Sequence, residues 1–334
     1  MSGSPHEVLI AGKAMPDRVR HVRPGRGRWI AALVNLILRI AVKWQLGLHV
    51  DLPALRQRMA VLNRKVSPNA PGIRRQPQQC HGIPAEWLIP EPGGTQRVLL
   101  YIHGGAFVAR TPDLHAAMLS PWCLALNARA LMVDYRLAPE HPHPAALDDC
   151  LVAYRWLLDQ GIAPQDIVVA GDSAGGNLAL ASLQRLQAEG LPLPACAVLL
   201  SPFLDFSLGG RSALDNARRD PVFDLAFAVG IRAFYASPAE YLDPGVSPLF
   251  GSFRGLPPLL FQVGSSEMLL DDSVRAAALA EAAGVPVQLE IWHRLPHVFQ
   301  AMAILPQARA AAGSIVEFIR RHTGWEAAQR LTAL

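Results

Sequence analysis

A chain of 334 residues is long enough for one large domain with a well-buried core, or for two small ones. It is 51% hydrophobic and 17% charged, which excludes a disordered chain. The net charge is only +4, but residues 1–75 hold 14 Lys and Arg against three Asp and Glu, and the remainder holds 17 against 24. A basic front suits a solvated N-terminal element first and an anionic lipid surface second. No aromatic-basic interleaving accompanies it, so a nucleic-acid partner is not expected.

The first 27 residues are polar and charged, with no apolar core near Met1, and read as no signal peptide. The apolar stretch WIAALVNLILRIAV that comes next is too short to span a bilayer. In it Ile30, Leu33, Val34, Ile37 and Ala41 form a helical stripe, with Arg28, Asn35, Arg39 and Lys43 opposite. This predicts an amphipathic helix whose stripe covers a core or a substrate cleft, a membrane surface being the alternative. The first 75 residues read as helical and Arg-rich, closing in the turn signals SPNAPG.

From about Ile83 the texture changes to short apolar runs: AEWLI, RVLLYIH, RALMVDY, DIVVAG, ACAVLLS, PPLLFQVG and PVQLEIW. Helical patterns separate most of them, as at residues 145–158, 177–188 and 273–283. Strands alternating with helices predict an α/β fold with a mainly parallel sheet, buried on both faces. Between Phe203 and Pro257 no buried strand is legible, and this segment reads as an insertion. The four cysteines, Cys80, Cys123, Cys150 and Cys196, form no CxxC pair, so reduced thiols and a cytoplasmic location are expected.

Ser173 stands in Gly171-Asp172-Ser173-Ala174-Gly175, between a predicted strand and a predicted helix. In that context G-x-S-x-G is a sharp turn that lifts a serine above the sheet at a helix N-terminus. A serine that merely caps the helix is the bland alternative. A serine nucleophile needs a base. His297 lies in the loop after the last predicted strand and is preferred to His293 at the strand edge. The base needs an orienting carboxylate. Glu267 ends the strand PPLLFQVG on its loop, whereas Asp271 and Asp272 look like first-turn residues of the next helix. Glu267 is therefore the expected acid and Asp271 the runner-up. The turn His103-Gly104-Gly105-Ala106 after RVLLYI offers amides for an oxyanion, the expected donors being Gly104, Gly105 and Ala174.

With these residues in place, the sequence resembles the hormone-sensitive lipase family of α/β-hydrolases, which includes bacterial carboxylesterases. The resemblance runs from about Val98 to Gln300 and rests on HGGAF, GDSAGGN, DYRLAPEHPHPAALDD and PHVFQ. Two departures stand out. Ala106 replaces the third glycine of the usual HGGG, narrowing the pocket slightly. Glu267 occupies the place where an aspartate is commoner. The resemblance implies an α/β-hydrolase core over residues 81–204 and 251–334. It also implies a cap from N-terminal helices within 1–80 and an insertion at 205–250. It gives Arg136, Glu140 and Asp148 a structural role in ion pairs along the long loop. Trp29, Trp44, Phe203, Phe206, Phe223 and Phe234 are candidates for the acyl or alcohol pocket, or equally for the core.

Together the residues and the resemblance predict a serine carboxylesterase acting on short- to medium-chain acyl esters through Ser173, His297 and Glu267. An amidase or deacetylase using the same residues, and a ligand-binding relative without turnover, are the rival expectations. The expected partner is a small-molecule ester, with no cofactor or metal. A homodimer and transient contact with a membrane surface are compatible with the reading.

Overall fold

The computed structural model describes residues 19–23, 27–43, 50–66, 70–91, 93 and 95–325. The strands are β1 (Val19–Val22), β2 (Ile73–Cys80), β3 (Ile83–Pro90), β4 (Val98–Ile102), β5 (Arg129–Val133), β6 (Ile167–Asp172), β7 (Cys196–Leu200), β8 (Leu259–Gly264) and β9 (Val287–Trp292). They form one sheet in the order β1-β9-β8-β7-β6-β4-β5-β3-β2. Among the described residues, the β2–β3 and β3–β5 pairs are antiparallel and the other six are parallel.

The continuous apolar runs result from burial on both faces. Along β4, Val98, Leu100 and Ile102 enter one core and Leu99 and Tyr101 the other. The first core is closed by α4 (Ala145–Asp159), α5 (Ala174–Ala188) and α8 (Leu270–Ala282). The second is closed by α3 (Pro112–Leu126) and α9 (Pro306–Thr323). The insertion carries two helices and no strand, α6 (Ser212–Asp215) and α7 (Leu225–Tyr235).

The N-terminal part differs from its sequence reading. Besides α1 (Arg28–Ala41) and α2 (Leu52–Arg64) it contains two strands, so it is not wholly helical. β1 extends the sheet beside β9, and β2 closes the opposite edge, inside the span expected to form only cap helices. IRRQPQQC escapes an apolar-run reading because it is an edge strand with one fully buried residue, Cys80.

Helix α1 forms where expected, but its stripe does not cover a core or cleft. Ile30, Leu33, Ile37 and Ala41 are exposed, and only Ala31 is buried. Two polar residues tie the helix to the protein: Asn35 Nδ2 donates to the Arg294 carbonyl (3.0 Å), and the exposed Arg39 reaches the Arg219 carbonyl (2.9 Å). Helix α2 is tied down by Arg56, which donates to the carbonyls of Val108 and Ala138 and pairs with Glu140. Among the described residues no helix is long and apolar enough to cross a membrane.

A tight passage in the fold lies where α5 leaves β6 beside β4. A Cβ on Gly175 would overlap the carbonyl oxygens of Ile102 and His103. Backbone cannot yield as a flexible side chain can. Gly175→Ala is therefore expected to cost about 3 kcal/mol in urea unfolding, the upper range for overpacking. Gly161→Ala, in an open turn at φ +77°, is expected to cost about 1 kcal/mol of backbone strain alone. Equal midpoints for the two variants would refute the close-approach argument.

Candidate active site

Ser173 sits between the end of β6 and the start of α5, with φ 53° and ψ −117°. This is a sparsely populated conformation for a residue with a Cβ, costing on the order of 1–3 kcal/mol. Neighbouring strand ends hold it. Its N–H donates to the Leu200 carbonyl (2.8 Å), and its carbonyl accepts from Phe203 N (3.2 Å) and Asn177 N (3.1 Å). Buried Asn177 then donates through Nδ2 to the carbonyls of Phe203 (2.6 Å) and Val246 (2.8 Å), tying the turn to both ends of the insertion. The Ser173 side chain makes no capping hydrogen bond, so the bland reading of this serine is not realised.

His297, on the loop after β9, is buried and places Nδ1 2.8 Å from Glu267 Oε2. Its other ring nitrogen, Nε2, is also buried and has no hydrogen-bond partner; no bond joins it to Ser173 Oγ in this structure. The Phe223 ring meets the imidazole edge-on, with centroids 4.7 Å apart. Burial pushes the His297 pKa down, but the hydrogen bond and charge of Glu267, helped by Asp220 and Asp172, outweigh it, and the net shift is upward. His293, the competitor, is exposed.

Glu267 has no exposed surface, and its second oxygen is fully engaged. Oε1 accepts from Gly264 N (2.5 Å) and from Ser201 Oγ (2.8 Å). The same Ser201 oxygen accepts from Val298 N (3.3 Å), so one hydroxyl links the carboxylate to the histidine loop. Ser201 was not legible in the sequence; its only signal is its position one residue past the apolar run of β7. The neighbouring aspartates do other work. Asp271 accepts from Ser212 N (2.9 Å) in the insertion. Asp272 accepts from Leu204 N (2.7 Å) and Asp205 N (3.1 Å). Burial first, and the charge of Asp205 second, raise the Asp272 pKa to about 8, and its hydrogen bonds hold the start of the insertion instead.

The glycine turn after β4 is built on Asp172, the residue before Ser173. Burial works against that carboxylate, yet the charge and hydrogen bond of His115, the Tyr101 hydroxyl and the Gly104 amide hold its pKa at about 2. Tyr101 OH donates to Oδ1 at 2.6 Å, Gly104 N donates to it at 2.8 Å, and His115 Nε2 lies 3.2 Å away. This corrects one sequence-based expectation. The Gly104 amide is occupied inside the turn and is not offered to a substrate. Among the described residues no protein acceptor takes the amides of Gly105, Ala106 or Ala174. Gly105 is required at φ +124°, where a Cβ would overlap the Ala109 carbonyl. Ala106, at φ 56°, adopts a left-handed conformation in the place of a third glycine. His103 stacks on Tyr135 with centroids 4.2 Å apart, and burial, with His115 beside it, lowers its pKa to about 4.

Over Ser173 opens an apolar crevice of about 450 Å³ that includes open solvent. Phe203 and Phe223 line it as expected, joined by Phe227, Ile231 and Met268, while Ala106 and Ala174 lie at its base with the serine. Phe206 is buried behind Phe203, stacked at 4.5 Å, and Phe234 is half-buried outside the lining. Trp29 is exposed on α1, and Trp44 lies outside the described residues. Of the three expected loop ion-pair residues, Glu140 pairs with Arg56 and Arg136 with Asp149 (2.7 Å), while Asp148 is exposed.

Known proteins resemble this chain in sequence and fold. Residues 99–301 match a family model described as the alpha/beta hydrolase fold. The chain is 36% identical over 292 residues to an esterase of Acinetobacter venetianus, covering 87% of this chain and 96% of that one. It is 40% identical over 241 residues to an acetyl-hydrolase of Streptomyces hygroscopicus, covering 72% and 80%. Among solved structures it superposes on an esterase from the bacterial hormone-sensitive lipase family with a TM-score of 0.81, 39% identity and coverage of 88% and 98%. An esterase/lipase from an uncultured bacterium gives 0.83, 37%, 90% and 100%. The chain belongs to the hormone-sensitive lipase family of the α/β-hydrolase fold and is a carboxylic ester hydrolase.

Proposed function

We propose that the protein cleaves short- to medium-chain acyl esters through an acyl-enzyme on Ser173, with His297 as base and Glu267 as its orienting acid. One observation carries this reading. His297 Nδ1 is engaged by a buried carboxylate while Nε2 is buried without a partner, and the imidazole meets the Phe223 ring that also lines the crevice over Ser173. A base needs that arrangement, with one nitrogen fixed as a donor and the other left as an acceptor.

Ser173 Oγ attacks the ester carbonyl carbon as its proton passes to His297 Nε2. The carbonyl oxygen becomes an oxyanion facing the amides of Gly105, Ala106 and Ala174. The bond to the alkoxy oxygen then breaks, and His297 gives its proton to the departing alcohol. Water enters, loses a proton to Nε2 and attacks the acyl carbon. Ser173 recovers that proton as the carboxylic acid leaves. Glu267 keeps Nδ1–H in place and stabilises the imidazolium that forms twice in the cycle. Phe223, Phe227 and Ile231 offer the acyl chain an apolar wall. The crevice is small, which supports short and medium chains, as does the acetyl-hydrolase among the relatives.

A serine-directed phosphonate is expected to label the wild type, and Ser173→Ala to lose both labelling and on the order of 10⁴-fold or more in kcat. An intact protein that does not label would sink the reading. For chain length, kcat/KM on p-nitrophenyl esters is expected to peak between butyrate and octanoate and fall steeply at palmitate. A monotonic rise to palmitate would overturn the size argument.

The pH profile tests Glu267. His297 works only when neutral, so activity is present above its pKa and lost as pH falls through it. With that pKa raised from 6.5, the acid limb of kcat/KM is expected above pH 6.5. Glu267→Gln removes the charge that raises it, so the limb should move to lower pH while kcat drops on the order of 10³–10⁴-fold. Asp271→Asn should leave the limb in place. The opposite pattern would make Asp271 the acid.

A further inference from the structure

Helix α1 turns its apolar residues to solvent. Trp29 is 75% exposed, and Leu33, Leu36, Ile37 and Ile40 are each more than half exposed. The helix rests on the body through a narrow strip, with Ala31 in a small cluster with Trp292, Leu295 and Leu305. Arg28, Asn35 and Arg39 fall within about 40° of one another around the axis at 3.6 residues per turn. Two of these hold the protein: Asn35 bonds the Arg294 carbonyl and Arg39 the Arg219 carbonyl. Just past the helix, Lys43 donates to the carbonyls of Ala217 and Asp220. A helix that serves only to cover a soluble core has the reverse arrangement, apolar side inward and polar side out.

We propose that this face of α1 docks the enzyme on an anionic phospholipid surface. Charge argues for it. Helix α1 has no acidic residue, and Arg28, Arg39, Arg218, Arg219 and Arg294 are all exposed along or beside its polar edge. Near Arg218 and Arg219 the exposed Asp215 lies 3.8 Å from Arg211, and the half-buried Asp224 acts on Lys43. The Arg28 guanidinium sits 5.0 Å from the Trp29 ring centre, a pairing of cation and indole that suits the headgroup region.

Size argues the same way. Fourteen residues make a helix about 21 Å long, too short to span a core of about 30 Å but suited to lying in the interface. A strip about 21 Å by about 10 Å covers on the order of 200 Å², about a quarter of the ~800 Å² that a stable dimer takes from each partner. A second copy of the chain is thus a poorer occupant.

Docking through α1 would also bring the catalytic crevice toward lipid. The helix bonds to Arg294, three residues before His297, and Lys43 just past it bonds to Asp220. The Asp220 carboxylate accepts from Phe223 N (3.1 Å) and Met268 N (2.9 Å), both residues of the crevice wall. The docking proposal rests on α1 and not on the assignment of Ser173, and vesicle binding is scored without turnover, so either can fail alone.

The test is sedimentation of the full chain with vesicles at low salt. It should pellet with equimolar phosphatidylglycerol and phosphatidylcholine, stay in solution with phosphatidylcholine alone, and be released by added salt. The double variant Leu33→Glu, Ile37→Glu should lose pelleting and keep wild-type hydrolysis of soluble p-nitrophenyl acetate, which also reports its folding. Arg28→Ala should bind about fivefold more weakly, the equivalent of about 1 kcal/mol per basic residue at an anionic surface. Three results would overturn the proposal: no preference for anionic vesicles, undiminished binding by the double variant, or a wild-type dimer that the double variant dissolves without any vesicle binding. The lipid comparison uses the unaltered chain, so it decides the matter even where a substitution unfolds the protein.

Discussion

The close approach of β4, β6 and the first turn of α5 is the constraint on which the site depends. Gly175 lets the helix start against the Ile102 and His103 carbonyls, where any Cβ would overlap. That approach forces Ser173 into φ 53°, ψ −117°, and its neighbours hold it there with three backbone hydrogen bonds. The strain is on the order of a few kcal/mol, and three bonds of about 1 kcal/mol each are of matching size. The serine is thus presented by the packing of the sheet against its helix, and its exposure to the crevice is a consequence of that packing.

Asp172 connects this elbow to the glycine turn. A lone carboxylate this deeply buried would be driven to its neutral form. Here it receives Tyr101 OH, Gly104 N and the nearby His115, and its pKa settles at about 2. The carboxylate stays charged and holds the start of the glycine turn at a fixed distance from the residue after it, Ser173. The cost is the Gly104 amide, which the turn consumes internally. The two amides that come after it have no protein acceptor among the described residues.

The segment from Glu267 to Asp272 shows how environment divides labour among like groups. Glu267 takes two protein donors on one oxygen and leaves the other for His297. Asp271 and Asp272, four and five residues on, start α8 and hold the insertion through Ser212, Leu204 and Asp205. Ser201 lets the carboxylate and the histidine loop share one hydroxyl. Glu267, His297 and the inserted segment are therefore coupled through a few buried polar groups.

Local chemistry in the sequence was sufficient for the fold class and nominated the residues of the site. Apolar runs revealed the buried strands, since a strand covered on both faces has no polar side. The G-x-S-x-G turn pointed to Ser173, and loop position favoured His297 and Glu267 over His293 and Asp271. Three features needed the folded chain. β2 is an edge strand of polar residues and carries no burial signal. The Gly104 amide is lost to Asp172, 68 residues away, a partner no local pattern reveals. The orientation of α1 was likewise undetermined: periodicity separates an apolar from a polar side, but which side meets the protein depends on the carbonyls of Arg219 and Arg294, which only tertiary structure brings to Arg39 and Asn35. Sequence periodicity determines that a helix has two faces, and long-range contacts decide what each face meets.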